Sequence, residues 1–237
     1  MSCAVDFGRR LLRRARWAWL PLYAAAAWAQ PSATPGGAVQ AQEALWIAAD
    51  RGDTAGLAQA LARGAPIDGL DAQGRSALMR AARARQAQAV AWMLQAGADV
   101  NLRDGQLDNP FLYAGAEGDL AILRLAIAAG ADTRRTNRYG GTALIPAAER
   151  GHVEVVRELL TRTDVDVNHV NRLGWTALLE AIVLSGGGPR HQQVVALLLA
   201  HGADPNRADG QGVSPLSHAR MRGQTAIEAQ LLKAGAR

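Results

Sequence analysis

The sequence predicts an all-α solenoid, and three observations carry that prediction. Apolar anchors recur at Leu45, Leu78, Phe111, Leu144, Leu178 and Leu216, spaced by 33, 33, 33, 34 and 38 residues. Glycine ends the units at Gly64, Gly97, Gly130, Gly202 and Gly235, with Asp164 in that place in the fourth unit. Alanine and leucine dominate, which favours helices, and no run of β-branched residues is long enough for a large sheet. Self-similarity at a fixed period of this length marks an array whose units bury their apolar faces only against neighbours.

Ahead of this array, residues 1–29 read as an export signal. Arg9, Arg10, Arg13, Arg14 and Arg16 form a basic start, an apolar stretch runs from Trp17 to Ala29, and Ala27-Trp28-Ala29 is a small-x-small cleavage site. The mature chain is expected to begin near Gln30, in the periplasm or outside the cell. The apolar stretch falls short of the roughly 20 residues of a membrane span, so an uncleaved inner-membrane anchor is the alternative and no membrane association is expected after cleavage. Arg9-Arg10 is a weak pointer to the twin-arginine route, because Arg13 stands where that motif takes an apolar residue. Residues 30–42, rich in Pro, Gly, Ser and Ala, are expected to form a flexible linker. The repeat domain is assigned to residues 43–237, in units of about 43–73, 74–106, 107–139, 140–173, 174–211 and 212–237.

The formal charge of +5 is concentrated in the signal. Five arginines and one aspartate lie in the first 29 residues, leaving 21 basic and 20 acidic residues beyond it. A nucleic-acid-binding domain is expected to keep a basic excess, so no nucleic-acid partner is expected. Cys3 is the only cysteine and falls in the signal. The mature chain therefore has no disulfide framework, thiolate metal site or cysteine nucleophile.

Each unit holds two short helical patterns. In the fourth, Thr142 stands where a hydroxyl caps a free helical N–H. Pro146 follows in or just beyond the first turn, where its missing N–H costs little. Gly151 breaks the helix, and Val153, Val155, Val156, Leu159 and Leu160 fall on or near one face of the next. The stretch GGTALIPAAERGHVEVVRELL resembles the ankyrin repeat, whose pattern is close to G-x-T-P-L-H-x-A-A-x-x-G-H-x-E-V-V-x-L-L-L-x-x-G-A-D-V-N. The resemblance covers about 195 of the 237 residues. It implies an ankyrin-repeat solenoid of about six helix-turn-helix units stacked in an arc and joined by short β-hairpin-like fingers. It also implies a non-enzymatic module that binds a protein partner through its concave face and finger tips. Similarity to exported bacterial ankyrin repeat proteins implies the periplasm of a Gram-negative bacterium. An immunity or inhibitor protein for an exported toxin or enzyme is the alternative, as is an accessory factor in oxidative-stress defence. A hydrolase is the least favoured reading. The chain is expected to be monomeric.

The departures from the pattern are local. Unit one has Glu43-Ala44-Leu45-Trp46 in place of Thr-Pro, as an N-terminal cap does. Unit three enlarges its first helix with Phe111 and Tyr113, unit four has an extra residue near Thr163, and unit six ends without a following finger.

Reactive constellations are weak throughout. His152 and His191 share a repeat position at the start of a second helix and are expected to hydrogen-bond the interhelical turn. Asp164–Asn168 opens like a calcium loop, but His169 and Trp175 stand where that loop needs Gly and Glu. No nucleophile elbow, Walker loop or dinucleotide fingerprint occurs, and the acid pair Glu149 and Glu154 sits on ordinary repeat positions. No catalytic residues, metal or cofactor are expected.

Recognition is expected from variable positions on the fingers and first helices. Trp175 leads, because exposed Trp, Tyr and Arg are the usual interface anchors. Arg138, Tyr139, Arg172, Arg75, Tyr113 and Arg80 complete the expected partner-binding set. Arg134 and Arg135, in the region where other units carry Val-Asn, add charge nearby. Finally, LSGGGPRHQQVV (Leu184–Val195) has the glycines of a phosphate loop, but a first helix precedes it and no Lys-Ser/Thr follows. Aligning His191 with His152 marks Gly186–Arg190 as an insertion between the two helices of unit five, expected to be a mobile loop.

Overall fold

The computed structural model describes residues 35–237. The expected export signal lies outside the described residues. Twelve helices are described, and they pair in chain order. The first helices are α1 (Pro35–Arg51), α3 (Ala77–Arg83), α5 (Pro110–Glu117), α7 (Leu144–Glu149), α9 (Ala177–Val183) and α11 (Pro215–Met221). The second helices are α2 (Thr54–Ala62), α4 (Ala87–Gln95), α6 (Leu120–Ala128), α8 (Val153–Arg162), α10 (Pro189–Ala200) and α12 (Thr225–Lys233). First helices stack on first helices and second on second, giving two layers. All six predicted anchors are buried between them in one continuous core.

Part of the expected linker is helical. Helix α1 begins at Pro35, so residues 35–42 belong to the repeat domain, with Ala41 buried. The reason is register. Ala41, Leu45, Ala48 and Ala49 form one apolar stripe, which extends the helix backwards, and proline at a first helical position gives up no needed hydrogen bond.

No strand occurs among the described residues, yet each finger closes like a hairpin. The N–H groups of Asp71, Asp104, Asn137, Asn171 and Asp209 donate to the carbonyls of Arg75, Asp108, Gly141, Trp175 and Val213. The side-chain Oδ1 of each of these five residues accepts from the backbone N–H groups two and four positions on, at 2.8–3.1 Å. Aspartate and asparagine stabilise turns in this way. Successive fingers then join: Gly105 donates to Gln73 O and Arg172 to Tyr139 O, both at 2.9 Å.

First helices start at side-chain caps: Ser76, Asn109, Thr176 and Ser214 each accept from the N–H three residues on. Thr142 does not, contrary to expectation. Its buried hydroxyl has no partner, and α7 begins without a side-chain cap. Pro146 explains this. In the other four units the cap residue's carbonyl accepts from the N–H four residues on, as Arg80 donates to Ser76 O and Glu180 to Thr176 O. Pro146 has no N–H, so Thr142 O takes the N–H of Ile145 at 3.2 Å. That leaves the hydroxyl without its donor.

Each unit is stitched to the one before it. The side chains of Gln86, His152, His191 and Gln224 reach the carbonyls of Asp50, Ala116, Glu149 and Ile182. The two histidines therefore occupy equivalent positions, as aligned, but they bond the end of the preceding first helix rather than their own turn. Across the finger bases, Asn168 donates to Gly202 O at 3.0 Å and accepts from Asp204 N at 2.8 Å, and Asn101 and Asn206 repeat the pattern.

The insertion is not a free loop. Pro189 and Arg190 begin α10, lengthening it, and only Gly186–Gly188 stay irregular. Gly187 has φ +67° and its N–H donates to Ser185 Oγ at 3.1 Å. Gln192 Nε2 donates to Gly187 O at 2.8 Å, and Gln224 Nε2 donates to Ser185 O at 3.0 Å.

Candidate partner-binding groove

The two residues after each finger's Asp or Asn form its tip. The tips read Ala72-Gln73, Gly105-Gln106, Arg138-Tyr139, Arg172-Leu173 and Gly210-Gln211. Only the third and fourth pair an arginine with a large apolar residue, and Tyr139 and Leu173 are 54% and 62% exposed. Leu107, also exposed, adds a third apolar residue on the second finger. It holds φ +63° where the other four fingers have glycine. A non-glycine side chain in the left-handed region costs about 1–2 kcal/mol, and such strain clusters at functional positions.

Beneath these fingers, α5, α7 and α9 bound an open groove of about 440 Å³. Tyr113, Arg138, Tyr139, Leu173, Glu180 and Leu184 are among the residues that line it. The Arg138 guanidinium lies 4.6 Å from the centre of the Tyr139 ring and donates to its hydroxyl at 2.7 Å. Arg83 lies 4.7 Å from the centre of the Tyr113 ring. Both are cation–π contacts that fix the aromatic planes. Arg150 donates to Glu117 and to Ala116 O. Burial and the charge of Asp104 raise the Asp108 carboxyl from its ordinary value, with Arg138, Arg83 and Arg103 opposing. Glu180, buried on α9, is pushed up to about 7 by burial and by the charge of Glu149, against one hydrogen bond from Asn171 Nδ2 at 2.8 Å.

Of the seven expected residues, Tyr113, Arg138 and Tyr139 come together in this groove. Arg172 lies at its edge, exposed, with its guanidinium on Arg138 O at 2.7 Å. Trp175 is half-buried and does not line the groove. It closes its finger four residues after Asn171, so the tip expected of it belongs to Leu173. Arg75 and Arg80 sit in a separate cluster, where both pair with Asp71 and Arg80 also pairs with Asp50. Burial opposes ionisation of Asp71, but hydrogen bonds from Arg75 and Arg80 hold its carboxyl at about 2. Leu184, Arg150 and Glu149 were not expected in a site. Their signal is positional: they fall five or six residues after the anchors Leu144 and Leu178, on the groove side of the first helices.

No group of three or more His, Cys, Asp or Glu able to hold a metal ion occurs among the described residues, and no described helix is long and apolar enough to cross a membrane.

A family model described as ankyrin repeats (three copies) matches residues 29–104 and 111–209. The chain is 43% identical over 190 residues to the ankyrin repeat protein YahD of Escherichia coli (strain K12), covering 80% of this chain and 94% of that one. It superposes on the crystal structure of an ankyrin repeat domain from Acinetobacter baumannii AYE with TM-score 0.79 and 55% identity, covering 81% of this chain and 98% of that one. The ankyrin repeat protein EF0377 gives TM-score 0.77 and 36% identity, with the same coverage. Repeat spacing, paired helices, hairpin-like fingers and these similarities agree, and the chain belongs to the ankyrin-repeat family.

Proposed function

We propose that this protein is a non-enzymatic binding module, exported to the periplasm, that holds a protein partner in the groove beneath its second to fourth fingers. The observation that carries the reading is the pair of exposed apolar finger residues that line the groove, Tyr139 and Leu173, with Leu107 exposed on the preceding finger. Large side chains held in water with little to pack against favour burial by a partner, and aromatic and arginine side chains supply most interface energy. Tyr113, Arg138 and Tyr139 are the central contacts, with Arg172 and Trp175 at the rim. Arg75 and Arg80 act mainly within the chain, through ion pairs with Asp71 and Asp50.

Affinity capture from a periplasmic extract, using the wild-type chain and a Tyr139→Ala/Leu173→Ala variant, tests the binding site. A protein retained by the first and lost by the second is expected. Equal retention by both, with both folded, places binding elsewhere. Cell fractionation with N-terminal sequencing tests the export: a periplasmic chain starting near Gln30 is expected, and an intact N-terminus in the membrane fraction favours the anchor.

A further inference from the structure

Three acids of the groove, Glu180, Glu149 and Asp108, stand without an ion-pair partner among the described residues. Glu180 is 5% exposed and lines the groove. Its Oε1 accepts from Asn171, and its Oε2 has no donor among the described residues. Glu149 and Asp108 line the same groove, and none of the three acids forms an ion pair among the described residues. The neighbouring arginines are engaged elsewhere, Arg150 with Glu117 and Arg138 with the Tyr139 ring. A buried carboxylate without a counter-charge is costly.

Equivalent positions in other units show what is missing. At three of the five fingers the Asp or Asn bonds the first-helix residue nine positions later. Ahead of α3 that contact is Asp71 with Arg80, at 2.9 Å, and ahead of α11 it is Asp209 with His218, at 2.8 Å. Ahead of α9 it is Asn171 with Glu180. Here the finger residue is uncharged and the helix residue is the acid, so the pair has no cationic half among the described residues.

We infer that the groove receives a lysine or arginine side chain of the partner, with its charge against Glu180. The aliphatic stem of such a side chain lies along Tyr139, Leu173 and Leu184, since long basic residues cover apolar surface with their methylenes. The guanidinium or ammonium then meets Glu180 Oε2, with Glu149 and Asp108 adding negative potential. This rests on the proposed groove binding and names the chemistry it selects.

The test is selection of a random displayed peptide library on the immobilised full chain, near pH 8. Retained peptides are then made with their basic residue intact or replaced by a neutral isostere, citrulline for arginine or norleucine for lysine. Each is measured against wild type, Glu180→Gln and Tyr139→Ala. Glu180→Gln keeps an oxygen for Asn171, and Glu149→Gln, on another helix, provides a second variant. The expected result is a peptide family with one basic position. Neutralising that position weakens binding to wild type about tenfold or more, and much less to Glu180→Gln. Peptides that depend on Tyr139 but tolerate the neutral isostere overturn this inference and leave groove binding standing. Peptides indifferent to both Tyr139 and Glu180, or no retained peptide, overturn both.

Discussion

Arg134 donates to Asp164 through Nε at 2.9 Å and Nη2 at 2.5 Å, at a joint where other units bond an asparagine to a glycine carbonyl. Both residues depart from the repeat: Arg134 stands in the asparagine place of unit three and Asp164 in the glycine place of unit four. The two departures meet each other, and Thr133 also bonds Asp164. The joint has changed from a neutral hydrogen bond to an ion pair.

Salt should therefore separate this joint from its counterparts. Arg134→Ala is expected to lower the melting temperature slightly at low ionic strength, with the difference vanishing near 1 M salt, because exposed pairs are screened. Asn168→Ala removes neutral bonds to Gly202 and Asp204, so it should cost about 1 kcal/mol at any salt concentration. Thermal melts across a salt series decide; equal salt responses from the two variants sink the distinction.

Thr142 and Thr176 occupy the same repeat position with different duties. Thr176→Val removes the cap on Leu179 N–H and should cost about 1 kcal/mol. Thr142→Val removes a hydroxyl with no partner and should be neutral or slightly stabilising. Urea denaturation of both variants measures this, and a comparable loss for Thr142→Val would show a hidden partner for its hydroxyl.

Glu180 should make stability fall as pH rises. Its carboxyl titrates near 7 in the folded chain and at about 4.3 when unfolded, so the unfolded state releases its proton first. The folded state is favoured most below about pH 4 and loses that advantage up to about pH 7. Glu180→Gln is thus expected to add on the order of 1–3 kcal/mol at pH 8 and almost nothing at pH 4. Chemical denaturation at the two pH values checks it, and a pH-independent effect contradicts it.

His152 works in the opposite direction. Burial lowers its pKa, with the hydrogen bond to Ala116 O opposing. The unfolded imidazole is then protonated first as pH falls. The stability it confers is complete above about pH 6.5 and lost as pH drops through the lower folded value. His152→Gln, the residue found at the equivalent Gln86 and Gln224, should match wild type at pH 8 and exceed it at pH 5. Melting at both values tests it, and identical curves at pH 5 would count against it.

Phe111 is fully buried in the third unit's first helix. Phe111→Ala should cost about 3–5 kcal/mol. Because units touch only their neighbours, the loss should appear as a broadened or split transition rather than a uniform shift. A single sharp transition at lower temperature would argue for tighter coupling along the stack.

The fold was legible because every unit repeats the same packing problem: Leu45 through Leu216 must each be buried, and only a regular stack does that. What was illegible depends on single donors and single turns. Pro146 redirects a carbonyl and idles Thr142, an effect no residue preference contains. Trp175 reads as a finger tip by composition, but five-residue closure on Asn171 places Leu173 there instead. Helix α1 outruns its glycines because Ala41 falls in register with Leu45. The groove was half legible. Arg138, Tyr139 and Tyr113 stand out as variable residues, whereas Glu149 passes for an ordinary surface acid until α7 and α9 bring it beside Glu180.

Gln224 belongs to the last described unit, and its amide holds Ile182 O and Ser185 O while its stem fills the space beside Gly187. The glycine insertion and the α11–α12 pair share these contacts and are therefore expected to open together. When α11 and α12 detach, Gly187 loses the stem that backs it, and the start of α10 is freed with them. Amide protons of Gly187 and Gln192 should exchange with solvent at the free energy of that terminal opening, well ahead of the core amides around Phe111.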